Sequence, residues 1–220
     1  MDIAAINQER DFIPQPIDPE IEEMSKAGVH LGHSKSKSHP SMAPYLYGVR
    51  NSVSIIDLTK TKEYLLRTRE FLKGIAAKKG VVILVGTRPA AKKLIREMGE
   101  RTGMPFFTER WIGGTLTNFK VVSKRIEYLD RLEHEKKTGE FEKYTKKERM
   151  KKEEEIVRLL KFFGGIRNLK RLPDAVFVVD ITTDAIAVRE ARKMKIPVVA
   201  FVDTNSNAES VDWPIPANDD

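Results

Sequence analysis

Apolar residues recur along this chain with two different periods, and the change of period marks its organisation. Val81-Val82-Ile83-Leu84-Val85 and Ala175-Val176-Phe177-Val178-Val179 are continuous apolar runs. Runs of that kind predict strands buried on both faces, as in a parallel sheet. The first passes through Gly86-Thr87-Arg88-Pro89 into a helix to Met98, with Pro89 suited to the first turn. After the second, Thr183 is placed to cap a helix to Lys195, and Ile196–Val202 predicts another strand. Pro105-Phe106-Phe107 predicts a further short one. Upstream, Asp18 caps a helix that Pro19 opens and Gly28 stops, with Glu20, Glu22 and Glu23 at its positive end. A polar loop, His33 to Pro40, leads to short strands at Tyr45–Val49 and Val53–Ile56 with Arg50-Asn51 between them. Thr59 is placed to cap the next helix, in which Leu65, Leu72 and Ile75 recur near helical spacing before Gly80. Strand–helix–strand alternation predicts an α/β fold, a parallel Rossmann- or flavodoxin-like sheet flanked by helices.

Between the two halves the period becomes helical and the surface charged. Val122, Ile126, Leu129 and Leu132 fall at spacings of three and four, and Thr138-Gly139 breaks the pattern. Thr145-Lys146-Lys147-Glu148 has the form of a capping box. It opens a second helix that places Ile156, Leu160 and Phe163 on one face and stops at Gly164-Gly165. One narrow apolar stripe per helix predicts a coiled-coil helical hairpin. The chain therefore divides into a discontinuous α/β domain, residues 1–117 and 173–220, and an inserted hairpin, residues 118–172.

Charge follows this division. Met1–Gly28 holds 2 basic and 7 acidic residues, Val29–Phe119 holds 16 and 6, Lys120–Leu172 holds 17 and 10, and Pro173–Asp220 holds 4 and 9. A basic middle between acidic ends points to a polyanion partner, because Lys and Arg displace counterions condensed on phosphates. The acidic ends are expected to turn away from it, towards solvent or a basic neighbouring protein. No apolar run approaches a membrane span. Met1 to Phe12, with Asp2, Glu9 and Asp11, does not read as a signal peptide. The absence of cysteine excludes disulfides and thiolate catalysis in these residues and fits a cytosolic setting.

Three places carry candidate chemistry. His30, His33 and His39 invite a metal reading, which the lack of a nearby carboxylate disfavours; with Lys35 and Lys37 among serines, the loop suits phosphate contact better. Gly86-Thr87-Arg88 lies where a doubly wound sheet takes phosphate, without the glycine pattern or lysine of a nucleotide loop. Arg110-Trp111-Ile112-Gly113-Gly114-Thr115-Leu116-Thr117-Asn118 pairs a guanidinium and an aromatic face with glycines and hydroxyls ahead of a helix. Trp111 there reads either as a stacking platform or as a core residue. Asp180, Asp184 and Asp203 stand near strand ends, with no base beside them to make an active site, and could together hold a structural divalent ion.

Several stretches in order then resemble one family. They are Ala27-Gly28-Val29-His30-Leu31-Gly32-His33, Ile55-Ile56-Asp57-Leu58-Thr59-Lys60-Thr61, Val85-Gly86-Thr87 and Arg110 to Phe119. Leu172-Pro173-Asp174-Ala175 through Asp180, Pro197-Val198-Val199-Ala200 to Asn205, and Ile215-Pro216-Ala217-Asn218-Asp219-Asp220 complete the set. Together they resemble the bacterial small-subunit ribosomal proteins of the S-two family. The resemblance implies a non-enzymatic constituent of the small ribosomal subunit, cytoplasmic and bound to small-subunit rRNA between head and body. It also implies other small-subunit proteins as neighbours, a part in seating ribosomal protein S-one, and neither membrane, cofactor nor small-molecule substrate. The family's Arg-Arg-Trp-Asn-Pro-like loop is here Lys35-Ser36-Lys37-Ser38-His39-Pro40, which lacks the tryptophan and arginines. The family also continues into a helix beyond the position of Asp220. The RNA contacts expected are Lys35, Lys37, Arg50, Arg88, Arg110, Lys120, Lys124, Arg167 and Arg171, with Trp111 as the stacking candidate. A phosphorylated-ligand enzyme working at the strand ends and a protein adaptor built on the hairpin are the rival classes.

Overall fold

Continuous β-branched runs need cover on both sides, and the chain supplies it from helices before and after them. In the computed structural model, which describes residues 18–219, the chain begins with α1 (Pro19–Lys26), β1 (Leu31–Ser34), β2 (Leu46–Arg50), β3 (Val53–Ile56) and α2 (Leu58–Ala77). It continues with β4 (Val82–Val85), α3 (Pro89–Thr102), β5 (Phe106–Phe107), α4 (Phe119–Lys137) and α5 (Lys146–Phe163). The last elements are β6 (Ala175–Val178), α6 (Ala185–Lys193), β7 (Val198–Val202) and β8 (Trp213–Pro216). Met1–Phe12, most of the acidic start and Asp220, for which the sequence carries expectations, lie outside the described residues.

Five strands form one parallel sheet in the order β5-β4-β6-β7-β8. The register sets Leu84 between Phe106 and Phe177, and Val178 beside Ala200. On one face Ile83, Val85, Val176, Val178, Val198 and Ala200 pack with Trp111, Leu116, the root of α4 and α6. On the other, Val82, Leu84 and Ala175 meet Phe71, Leu72 and Ile75 of α2 and Ala91 and Ile95 of α3. The predicted α/β fold is therefore present, with helices on both faces. Pro214 and Pro216 sit in β8 at the edge of the sheet, where missing N–H donors are tolerated.

A second sheet, β1-β3-β2, is antiparallel and rides on the ends of the first. The Thr204 hydroxyl accepts from His33 N at 2.8 Å, and the Thr204 carbonyl accepts from His39 N at 2.7 Å. A Cβ on Gly32 would lie 2.3 Å from the Thr204 methyl carbon, so glycine lets the two sheets meet there.

Several local assignments shift. The polar loop takes in the end of β1, the 3-10 helix Lys35–Lys37 and the first residue of another, Pro40–Tyr45, because pairing with β3 gives its backbone partners that no local signal announces. The β2–β3 turn is Asn51-Ser52, both at positive φ, and Arg50 belongs to the strand. Asp57 rather than Thr59 caps α2, accepting from Thr59 N at 2.9 Å. Asp184 rather than Thr183 precedes α6, since the Thr183 hydroxyl is drawn to Asp180. α4 and α5 pack through Leu129, Leu132, Phe141, Ile156 and Leu159. Leu159 takes the inward place expected of Leu160, which is exposed. The capping box at Thr145 and Glu148 is formed as expected.

Candidate nucleic-acid interface

The departure of the hairpin from the sheet is organised by one buried carboxylate. Glu190 lies on the inner face of α6 with Ala187, Val188 and Ala191, and is 8% exposed. It faces the turn that ends at Asn118. Oε1 accepts from Gly114 N at 2.6 Å and from the Trp111 indole at 3.2 Å. Oε2 accepts from Leu116 N at 3.0 Å and from the amide and hydroxyl of Thr117 at 3.2 Å. Burial pushes the carboxyl up, but the backbone donors and the indole outweigh it and hold Glu190 below the ordinary glutamate range. Gly114, at φ +90°, allows the turn its shape. Trp111 is 6% exposed and packs on Phe107, so its reading as an RNA-stacking residue gives way to the core reading. Thr115 is likewise buried, its hydroxyl donating to the Ile112 carbonyl at 2.6 Å. Glu190 lay in an unremarkable helical stretch, and its one local signal was an acid among apolar residues.

The strand ends hold ion pairs. Arg88 reaches Asp180 at 2.6 Å and Asp219 at 3.0 Å. Its expected phosphate contact is displaced by these two nearly buried carboxylates, which occupy the guanidinium fork. Asp180 also accepts from the amides of Thr182 and Thr183 at 2.7 and 3.1 Å and from the Thr183 hydroxyl. Burial raises its pKa, but those donors and Arg88 leave it below the ordinary aspartate value. Asp184, 4% exposed, accepts from the Thr87 hydroxyl at 3.1 Å. Burial above all, with the Asp180 charge added, pushes Asp184 up to about 6. Asp203 lies 2.8 Å from His33 Nδ1 and accepts from Thr204 N, yet burial still raises its pKa. The fold thus brings His33 a carboxylate from far along the chain. Asp180, Asp184 and Asp203, which by sequence could together hold a divalent ion, each keep separate partners in the fold. Among the described residues no group of three His, Cys, Asp or Glu could hold a metal.

The remaining expected cations divide into two sets. Arg167 is held by Asp130 and Glu133 of α4, and Arg171 lies 2.8 Å from Asp174. These two arginines brace the protein itself. Lys35 and Lys37 stand exposed on their 3-10 helix, Arg50 at the end of β2, and Lys120 and Lys124 at the start of α4. None of these five has an ion pair among the described residues. Arg110 is exposed with its guanidinium 4.9 Å from the centre of the Phe162 ring. Sequence reasoning passed over the basic far end of the hairpin, Lys143 to Lys151. It also missed the apolar outer surface of the small sheet, where Leu31 is 46%, Tyr47 82% and Val49 48% exposed. Among the described residues no helix is long and apolar enough to cross a membrane.

Comparison with known proteins gives one family. The family profile described as ribosomal protein S2 matches residues 24–220. The small ribosomal subunit protein uS2 of Thermus thermophilus is 47% identical over 205 residues, 93% of this chain and 80% of that protein. The uS2 proteins of Dehalococcoides mccartyi and Bdellovibrio bacteriovorus are 45% and 46% identical over 200 residues, 91% of this chain and 82% and 64% of theirs.

Two substitutions test this electrostatic account. Glu190→Gln replaces one acceptor oxygen with a donor facing donors and should cost about 2–4 kcal/mol in urea denaturation. Asp184→Asn should act in the opposite direction. The raised folded-state pKa means that ionised Asp184 lowers stability above about pH 6 and not below its unfolded value near 3.8. The variant should therefore gain roughly 1–3 kcal/mol at pH 7.5, and the gain should vanish as the pH falls to 3.8.

Proposed function

The chain belongs to the ribosomal protein S2 family, and from that membership we propose that it is a structural, non-enzymatic component of the small ribosomal subunit that binds the subunit's rRNA. The observation that carries the RNA reading is how the charges are divided. The strand ends, where this architecture ordinarily takes a small ligand, are occupied by the Arg88–Asp180–Asp219 ion pairs. Lys35, Lys37, Arg50, Lys120 and Lys124, which have no ion pair among the described residues, stand outside on loops and element ends. Arg110 joins them with its ring contact to Phe162. Long cations with no internal partner suit phosphate oxygens, which position a protein on RNA without reading its sequence. The working location is the ribosome, in the cytoplasm, among other small-subunit proteins.

Binding of small-subunit rRNA should weaken linearly in log–log form with salt. Lys120→Gln with Lys124→Gln should flatten that slope by about 0.7–0.9 per lost contact and leave the melting temperature unchanged. A flat salt dependence of the parent protein would overturn the reading. Saturable binding of one nucleotide from a calorimetric panel would instead favour the enzyme class.

The same proposal includes the seating of ribosomal protein S-one. The exposed Leu31, Tyr47 and Val49 surface supports it, since an apolar patch on a small sheet suits a protein neighbour better than RNA phosphates. Tyr47→Ser should lower the amount of purified S-one that co-sediments with reconstituted subunits at least threefold, with rRNA binding intact. Unchanged co-sedimentation would remove this surface from the proposal.

A further inference from the structure

Helix α5 carries two apolar stripes, and the fold covers one of them. Ile156 and Leu159 turn inward onto Leu129 and Leu132 of α4. Met150, Val157 and Leu160 lie along a second side, seven and then three positions apart, and stay exposed, Val157 at 67%. That spacing is the seam of a coiled coil, in which such side chains sit between those of a facing helix. With Glu133, Lys136 and Lys137 of α4 the stripe lines an open groove of about 1110 Å³. Among the described residues no third helix covers it.

The charges beside the stripe say what fits it. Glu154 and Lys161 are seven positions apart, so they share one flank, and both are exposed. Glu154 has no ion pair among the described residues, and Lys161 approaches Glu109 only to 3.8 Å. An acid towards one end of the flank and a base towards the other make a self-complementary pattern. A second α5 laid antiparallel on the first sets Met150 against the other copy's Leu160. It also brings Glu154 and Lys161 alongside the other copy's Lys161 and Glu154. A parallel copy in register would set each charge level with its own kind. RNA phosphates would meet an apolar strip and a carboxylate, which suit them poorly.

We propose that the free protein associates with a second copy of itself through this face, the two α5 helices antiparallel and the two hairpins together forming a four-helix bundle. The inference concerns the chain outside the subunit and stands apart from the rRNA reading. Three apolar side chains from each copy make a small contact, so the dissociation constant should lie at about 10–100 µM. The pair forms where free chain accumulates and separates on dilution.

Sedimentation equilibrium of the full chain from about 1 to 300 µM should show monomer passing into dimer. Val157→Lys should weaken the association about tenfold or more and leave the melting temperature unchanged. Glu154→Lys alone and Lys161→Glu alone should each lose the dimer, because each sets like charges across the contact. Their equimolar mixture should regain it as a heterodimer, which variants that merely failed to fold could not do. The chain has no cysteine, so oxidation of a Met150→Cys chain mixed with a Leu160→Cys chain should give the mixed disulfide in excess over either like pair. A monomer at every concentration would overturn the proposal. So would a dimer that keeps its strength in Val157→Lys, since its contact lies elsewhere. A charge-swap mixture that stays monomeric, or disulfides mainly between like chains, would overturn the antiparallel pairing. A Val157→Cys thiol shielded from alkylation only in assembled small subunits would give the face to a subunit neighbour and remove the second copy.

Discussion

The arrangement of the molecule depends on the carboxylate of Glu190. A buried charge is costly unless its oxygens are fully engaged, and here five donors from one turn engage them. The turn can converge on the carboxylate because Gly114 takes a left-handed conformation. Trp111 then fills the core beside Phe107 while its indole N–H remains satisfied. The chain leaves this turn into α4, whose Val122 and Ile126 extend the same core before Leu129 and Leu132 begin the packing against α5. The hairpin is thus anchored through side chains that belong to the sheet's own interior, and its direction follows from α6.

A second consequence is the sorting of charge. Arg88, Arg167 and Arg171 are turned onto carboxylates of the same chain. A planar guanidinium gives directed bonds to carboxylates and suits bracing. The lysines expected at the interface remain outside it. This sorting closes the strand ends, where a doubly wound sheet would otherwise offer a ligand crevice, and leaves positive charge on the loops, the base of the hairpin and its tip. A fold that elsewhere serves enzymes here presents a rigid platform with a charged arm, which accords with membership in a ribosomal protein family.

Legibility from sequence followed the range of the interactions concerned. Val82–Val85 and Ala175–Val178 announced a buried parallel sheet because a strand covered on both faces must be apolar at every position. The stripe of Val122, Ile126, Leu129 and Leu132 and the box of Thr145 with Glu148 were equally plain, being periodic or local. Strands β1 and β8 were not announced. One is a glycine- and histidine-bearing stretch paired at a distance, and the other is an edge strand with two prolines. Among the candidate site residues, the sequence could not separate Arg88 from Lys120, since both are cations at the start of a helix.

By itself, then, the sequence determined the type of most elements, the parallel sheet and the excess of basic charge in the middle of the chain. These depend on apolar periodicity, caps and composition, all written in neighbouring residues. The tertiary structure alone decided which charges are available to a partner. Asp180 and Asp219 find Arg88 across the strand ends, Asp130 and Glu133 find Arg167 across the hairpin root, and Glu190 finds its turn across the core. Whether a charge is spent internally or left for a partner is set by groups brought close in space from distant parts of the chain, and local sequence carries no record of that distance.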